Sequence, residues 1–133
     1  MEKFMIYYEP ENNEKEGELK SFTYVAEPVG KEFKLKVVEE IYTNEGTEKF
    51  KLKEMHNNLD EIFKKIKEIN FNIKTNTKER DGVIIIKYGE NKLVSNSLKS
   101  VSSIIDKFKV KELLNMTSKE LLEIKNLKEF VCE

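Results

Sequence analysis

The chain has 133 residues, enough for one domain and too few for two ordinary ones, so we predict a single domain over residues 1–133. Hydrophobic residues make up 38% of the chain and charged residues 37%, and the hydrophobic ones recur in periodic clusters, which favours a folded protein over a disordered one. The formal net charge of -1 excludes an overall field that would draw the chain onto nucleic acid or an anionic membrane.

Lysine carries almost all of the positive charge, because Arg80 is the only arginine among 24 basic residues. Arginine suits bidentate contacts to phosphate and guanine, so its scarcity argues against sequence-specific DNA recognition. The single cysteine, Cys132, cannot form an intramolecular disulfide. The apolar run at residues 4–8 is too short for a signal peptide or a membrane span. We therefore expect a cytoplasmic protein that does not cross a membrane.

Apolar and polar side chains alternate with the period of a β-strand through the first part of the chain. Loops rich in Gly, Pro and Asn separate the alternating runs, and Gly46 in "TNEGT" is free to adopt the positive φ that a hairpin turn needs. The pattern predicts an antiparallel meander of four strands with one solvent-facing side. The predicted strands are residues 4–8, 19–26, 32–42 and 48–54.

The period then changes to that of an α-helix. One helical face is predicted to carry Leu59, Ile62, Phe63, Ile66 and Ile69. Asn58 is the predicted N-cap of this helix.

A hairpin is predicted from residues 71–74 and 83–88, and "VIII" in its second strand suggests a central strand covered on both sides. A second amphipathic helix follows Ser97, and "VKELL" extends it after a break. A third helix begins at Thr117 with the capping-box sequence "TSKE".

These elements predict an α+β fold: an antiparallel sheet, made of a four-stranded meander plus a hairpin, with two to three helices packed on one face. Two half-apolar patches on the sheet, Met5 with Tyr7 and Val38 with Tyr42, need a cover. The cover is either a helix layer or a second subunit, so the sequence leaves monomer and homodimer open.

The segment 110–127, "VKELLNMTSKELLEIKNL", resembles the helix-hairpin-helix turn, in particular that of the C-terminal domain of the bacterial RNA polymerase alpha subunit. The shared features are the two "ELL" segments, the capped Thr117 and the "NL" pair. The resemblance implies contacts to a nucleic-acid backbone, with Lys119, Lys125 and Lys128 as candidate residues. Lys128 stands where the family has a glycine that lets the backbone approach phosphate. The alternative interpretation is a capped helix that closes the hydrophobic core.

Three further patterns bear on catalysis. Glu32 and Lys34 form an E-x-K pair on a strand with Glu27 upstream, as in metal-dependent nucleases of the restriction type, although a solvated strand face explains the same pattern. His56 is the only histidine, which excludes a two-histidine site, and a pair with Cys132 would rest on a terminal cysteine. The five glycines are isolated and form no phosphate-binding loop. We predict no metal and no cofactor.

The loop "EPENNEKEGE" at residues 9–18 holds five glutamates and one lysine, a local net charge of -4. An acidic loop beside tyrosines can steer onto a basic partner and anchor there. The candidate partner-binding residues are Tyr7, Tyr8, Glu9, Glu11, Glu14, Glu16 and Glu18.

We therefore expect a small non-catalytic interaction protein, such as an inhibitor, an immunity protein or a phage-type accessory factor, that binds one macromolecular partner, most simply another protein. The first alternative is a nucleic-acid-associated module that uses the C-terminal lysines. The second is a small metal-dependent nuclease.

Overall fold

The computed structural model describes residues 2–11, 14–30, 32–57, 60–75, 77–125 and 130. Within them six antiparallel strands form one sheet in the order β4-β3-β2-β1-β5-β6, accompanied by α-helices and a 3-10 turn at Lys99–Val101. The strands are β1 (Phe4–Pro10), β2 (Leu19–Val29), β3 (Glu32–Thr43), β4 (Gly46–Asn57), β5 (Gly82–Tyr88) and β6 (Asn91–Ser95). The helices are α1 (Asp60–Lys67), α2 (Ser102–Lys107), α3 (Val110–Asn115) and α4 (Ser118–Glu123). The predicted α+β fold is confirmed, but the described residues form four α-helices where two to three were predicted, because the second is divided at Lys109 and the chain continues into α4.

The helices pack on one face of this sheet, here called the inner face, and one hydrophobic cluster joins the two layers. Strand alternation places Phe4, Ile6 and Tyr24 on the inner face, where they are fully buried. Phe108, which follows α2, lies against them, with its ring centroid 4.9 Å from that of Phe4 and 5.8 Å from that of Tyr24. The core therefore lies between the inner face and the helices.

The hairpin that contains β5 differs from the predicted one. Residues 71–74 form a turn, in which the Asn72 amide donates to Oδ1 of Asn70 at 2.9 Å. The partner of β5 is β6, which pairs across the two-residue turn Gly89–Glu90. Gly89 has a φ of 57°, which suits a two-residue hairpin turn. The other neighbour of β5 is β1.

The burial of the two sides of β5 also differs from the prediction. Ile84 and Ile86 point to the inner face and are buried. Ile85 and Val83 point to the opposite face, where Ile85 is only partly buried and Val83 is 43% exposed. Among the described residues of the single chain, helices therefore cover only one side of the strand, where the sequence predicted a cover on both sides.

The predicted helix boundaries are confirmed in part. The second helix is interrupted between α2 and α3 at Lys109, which has a left-handed φ of 58°. The capping box of α4 is present: the Glu120 amide donates to Oγ1 of Thr117 at 3.1 Å, and the Thr117 amide donates to Oε1 of Glu120 at 3.4 Å. Asn58 and Leu59, predicted at the start of the first helix, lie outside the described residues.

Candidate interaction surfaces

The β1–β2 loop and the β3–β4 turn meet at one end of the sheet. The Gly17 amide donates to the Tyr42 carbonyl at 2.8 Å, and the Tyr42 amide donates to the Glu18 carbonyl at 3.0 Å. These bonds, together with the pairing of β3 with β4, put the glutamates of the loop at the same end of the sheet as Glu45 and Glu48 of the turn region. We call this group the acidic end: Glu9, Glu11, Glu14, Glu16, Glu18, Glu45 and Glu48. All of its members are exposed except Glu18, which is partly buried.

The described part of the β1–β2 loop is fixed on both sides. Beyond β1, the Glu11 amide donates to the carbonyl of Asp81, just before β5, at 3.0 Å. Before β2, the Glu18 amide closes a turn onto the Lys15 carbonyl at 3.0 Å. Glu11 and Glu18 are therefore both anchored by backbone hydrogen bonds.

The two tyrosines that the sequence places beside the loop point to opposite faces of β1, because successive residues of a strand alternate. Tyr8 is 8% exposed on the inner face, and its hydroxyl donates to the Asp81 carbonyl at 3.2 Å. Burial, with a smaller contribution from the negative charge of Asp81, raises the pKa of Tyr8. The structure therefore separates the two tyrosines that the sequence interpretation groups, and Tyr8 belongs to the core.

Tyr7 lies on the other face of the sheet, here called the open face. Its hydroxyl donates to Oε2 of Glu9 at 2.9 Å. Burial and, as a smaller cause, the bond to the Glu9 carboxylate raise the pKa of Tyr7 to about 12. The hydroxyl is therefore neutral at physiological pH and holds Glu9 at the rim of the open face.

Tyr7 is one member of a row that crosses five strands in direct register. The row runs from β6 to β3 through Val94, Ile85, Tyr7, Thr23 and Val38. We call it the apolar row. None of its members belongs to the core cluster or to the side chains that pack against it, and Val94 is 50% exposed. An apolar row on an exposed sheet face is a candidate contact surface.

Glu39 is a buried carboxyl group that the sequence interpretation missed. It lies on the inner face opposite Phe22, is 5% exposed, and has a pKa raised to about 7 by burial. The signal was available in the sequence, because the alternation of β3 places Glu39 on the same side as Leu35 and Val37.

The residues of the nuclease hypothesis are only partly described. Glu27 and Lys34 are direct neighbours across β2 and β3. The side chains of Glu32 and His56 lie outside the description, as does Cys132. Among the described residues, no group of three or more His, Cys, Asp or Glu side chains is placed to hold a metal ion. The nuclease hypothesis stays a prediction.

The nucleic-acid hypothesis concerns the end of the chain. Lys119 is exposed on α4, Lys125 is exposed just beyond it, and Lys128 lies outside the described residues. This hypothesis also stays a prediction. Within the described part of the chain, no helix combines the length and the apolar character needed to cross a membrane.

Comparisons with protein-family models, with curated proteins and with solved structures found no match to this chain.

Proposed function

We propose that this chain is a small interaction protein, of the inhibitor, immunity-protein or accessory-factor kind, that binds a basic partner protein through the acidic end. The observation that carries the proposal is the meeting of two acidic loops. Glu11, Glu14 and Glu16 come from the β1–β2 loop, whereas Glu45 and Glu48 come from a segment about thirty residues further along the chain. Backbone hydrogen bonds hold these two sources together at one end of the sheet.

Such a surface suits electrostatic recognition. Clustered charges of one sign raise the rate at which an oppositely charged partner is encountered, and they suppress encounters with acidic proteins. The charges of the acidic end are exposed, so dissolved salt screens them over a distance of about 8 Å at physiological ionic strength. The association rate with the partner should therefore fall as salt rises, while the dissociation rate changes less.

The first experiment is affinity capture from host cells with the tagged chain as bait, in halves treated and untreated with nuclease. The expected result is a stoichiometric basic protein in both halves. Glu11→Gln, Glu14→Gln and Glu16→Gln are then combined in one variant, which removes three charges from exposed side chains. We expect at least a tenfold lower association rate with the purified partner at low salt.

The matched control combines Glu90→Gln, Glu112→Gln and Glu123→Gln, three exposed glutamates on other parts of the structure. It loses the same net charge and should bind the partner almost as the unchanged chain does. Equal rates for the two triple variants would contradict a role for the acidic end.

The nuclease-treated half tests the competing hypothesis. Loss of all captured material after nuclease would favour nucleic-acid association through the C-terminal lysines. Lys119→Glu with Lys125→Glu should then abolish binding to duplex DNA, because both side chains are exposed.

A further inference from the structure

The open face of the sheet is apolar along its middle and charged on both sides. One register step from the apolar row on one side lie Lys92 and Lys87, both exposed, in line with Met5 and Val25. The same line reaches Lys36 on β3, which pairs with Glu54 on β4. We call this line the lysine row.

One register step away on the other side lie Glu9 on β1 and Glu40 on β3, two residues after Tyr7 and Val38 respectively. Val83 pairs with Glu9 across β1 and β5. We call this line the glutamate row. Lys20 already lies 3.4 Å from Glu40 within the same chain, whereas Glu9 is exposed and accepts the hydrogen bond of Tyr7.

This arrangement is complementary to itself. If a second copy is turned by 180° about an axis along the apolar row, its lysine row lies over the glutamate row of the first copy, and the reverse holds as well. Lys36 then faces Glu40 of the second copy, and Lys87 comes beside Glu9 of the second copy. Val94, Ile85 and Tyr7 face their own equivalents on the axis.

The charges of the named rows disfavour the other face-to-face two-fold arrangement. Rotation about an axis parallel to the strands would place lysine row on lysine row, and like charges in direct opposition are unfavourable. The favoured rotation makes the strands of the two sheets antiparallel. Twisted sheets then cross at a small angle, as in the aligned packing of β-sandwiches.

We propose that the open face binds a second copy of this chain, in a two-fold dimer that buries the apolar row and pairs the lysine row with the glutamate row. Strands about 4.8 Å apart and same-face residues about 6.8 Å apart along each strand give the three rows a flat footprint of roughly 500 Å² per copy. This footprint is at the low end for specific interfaces, so the dimer forms and dissociates with concentration. Glu9 belongs to both the acidic end and the glutamate row, whereas Glu11, Glu14 and Glu16, which the triple variant above changes, lie outside the three rows. That variant therefore tests the partner separately from the dimer.

The experiment is sedimentation velocity of the full chain over a concentration series from the micromolar to the millimolar range. The expected result is a mass that rises from one chain to two and stops there. Val94→Lys places a charge on the apolar row at a 50% exposed site and should raise the dimer dissociation constant at least thirtyfold. Val29→Lys, at a 45% exposed valine outside the three rows, is the matched control and should dimerise as the unchanged chain does.

Exchanging two charges tests how the two copies are oriented. Recovery of binding in the double variant cannot be explained by damage to the fold. Lys87→Glu and Glu9→Lys should each raise the dissociation constant about tenfold, and the double variant should recover most of the loss. A chain that stays monomeric throughout, a mass that grows beyond two chains, or a double variant weaker than both single ones would overturn the proposal. The chain could also prove monomeric while Val94→Lys abolishes its capture of a protein from the lysate. That result would assign the open face to a different partner and would also overturn the proposal.

Discussion

Gly82 opens β5 at a point where the backbone leaves no room for a side chain. Its φ is 134°, and a Cβ atom there would overlap the Glu9 carbonyl oxygen and come within 2.8 Å of the Glu11 amide nitrogen. Both neighbours are backbone atoms, one in β1 and one in the residue that follows Pro10, so neither can move without disturbing the hydrogen bonds between β1 and β5. Glycine is therefore required at this position by both conformation and space.

Gly82→Ala should lower the free energy of unfolding by about 3 kcal/mol or more, since backbone strain and overlap add. The control is Gly30→Ala, where φ is 62° and nothing lies within 4 Å of the new Cβ. Left-handed backbone alone costs an alanine about 1 kcal/mol. Urea unfolding of both variants measures the difference, and equal losses would show that space at Gly82 is not limiting.

Glu39 makes stability depend on pH in a specific direction. Its pKa is about 7 in the folded chain against an ordinary 4.5, so the folded state holds this proton over a range in which the unfolded state has released it. Stability from this group is therefore greatest below pH 4.5, falls as pH rises from 4.5 to 7, and is constant above.

Glu39→Gln removes this titration. We compare the free energy of unfolding of the variant with that of the unchanged chain at each pH. The difference should increase in favour of the variant by at most about 3 kcal/mol between pH 4.5 and 7, at 1.36 kcal/mol per pKa unit. Chemical denaturation at a series of pH values gives the difference, with Glu123→Gln at an exposed site as the control for loss of charge. A difference that does not vary with pH would mean that Glu39 is ionised in the folded protein.

The elements with strong periodicity could be predicted from sequence, and those defined by their neighbours could not. The four strands of the meander and the capped start of α4 follow from local patterns. β6 is short, with only Leu93 and Val94 apolar, so its hairpin signal was the turn at Gly89. Phe71 and Ile73 look like strand residues because they are apolar, yet they pack against the core from a turn.

The candidate surfaces were predictable to a similar extent. The glutamates of the β1–β2 loop are visible in the composition of residues 9–18. That Glu45 and Glu48 lie at the same end of the sheet follows from the pairing of β3 with the loop, which a one-dimensional pattern does not contain. The apolar row likewise needs the strand order, because β5 joins the sheet beside β1.

The capping box gives a prediction for α4, which is only six residues long and therefore depends on its first turn. Thr117→Ala removes the acceptor of the Glu120 amide and should cost about 1 kcal/mol of stability. Thr117→Asp keeps an acceptor and should retain most of it. Thermal unfolding compares the two, and an alanine variant as stable as the aspartate variant would show that the cap adds nothing to the fold.

At the scale of the whole molecule, Phe108 links the helical layer to the sheet. It is fully buried against Phe4 and Tyr24, which lie on adjacent strands. Phe108→Ala should lower the free energy of unfolding by about 3–5 kcal/mol, through lost burial and the cavity left behind. Phe71→Ala, at a partly buried turn position, should cost less.

Circular dichroism in the far ultraviolet during urea unfolding measures both variants, with ring signals in the near ultraviolet as the second probe. Because one hydrophobic cluster includes both layers, the two signals should change together. Separate transitions for the helices and the sheet would contradict this coupling.

The pairing of β1 with β5 sets an order of events in time. Phe4 pairs with Tyr88, and Pro10 pairs with Gly82, so more than seventy residues separate the partners. During synthesis on the ribosome the meander can form as soon as β4 has emerged, but one edge of β1 then stays unpaired until β5 follows. Long-range pairing of this kind is slow, and an unpaired strand edge is open to other chains in the meantime. Among the strands of this sheet, β1 is synthesised first and stays longest without its second neighbour.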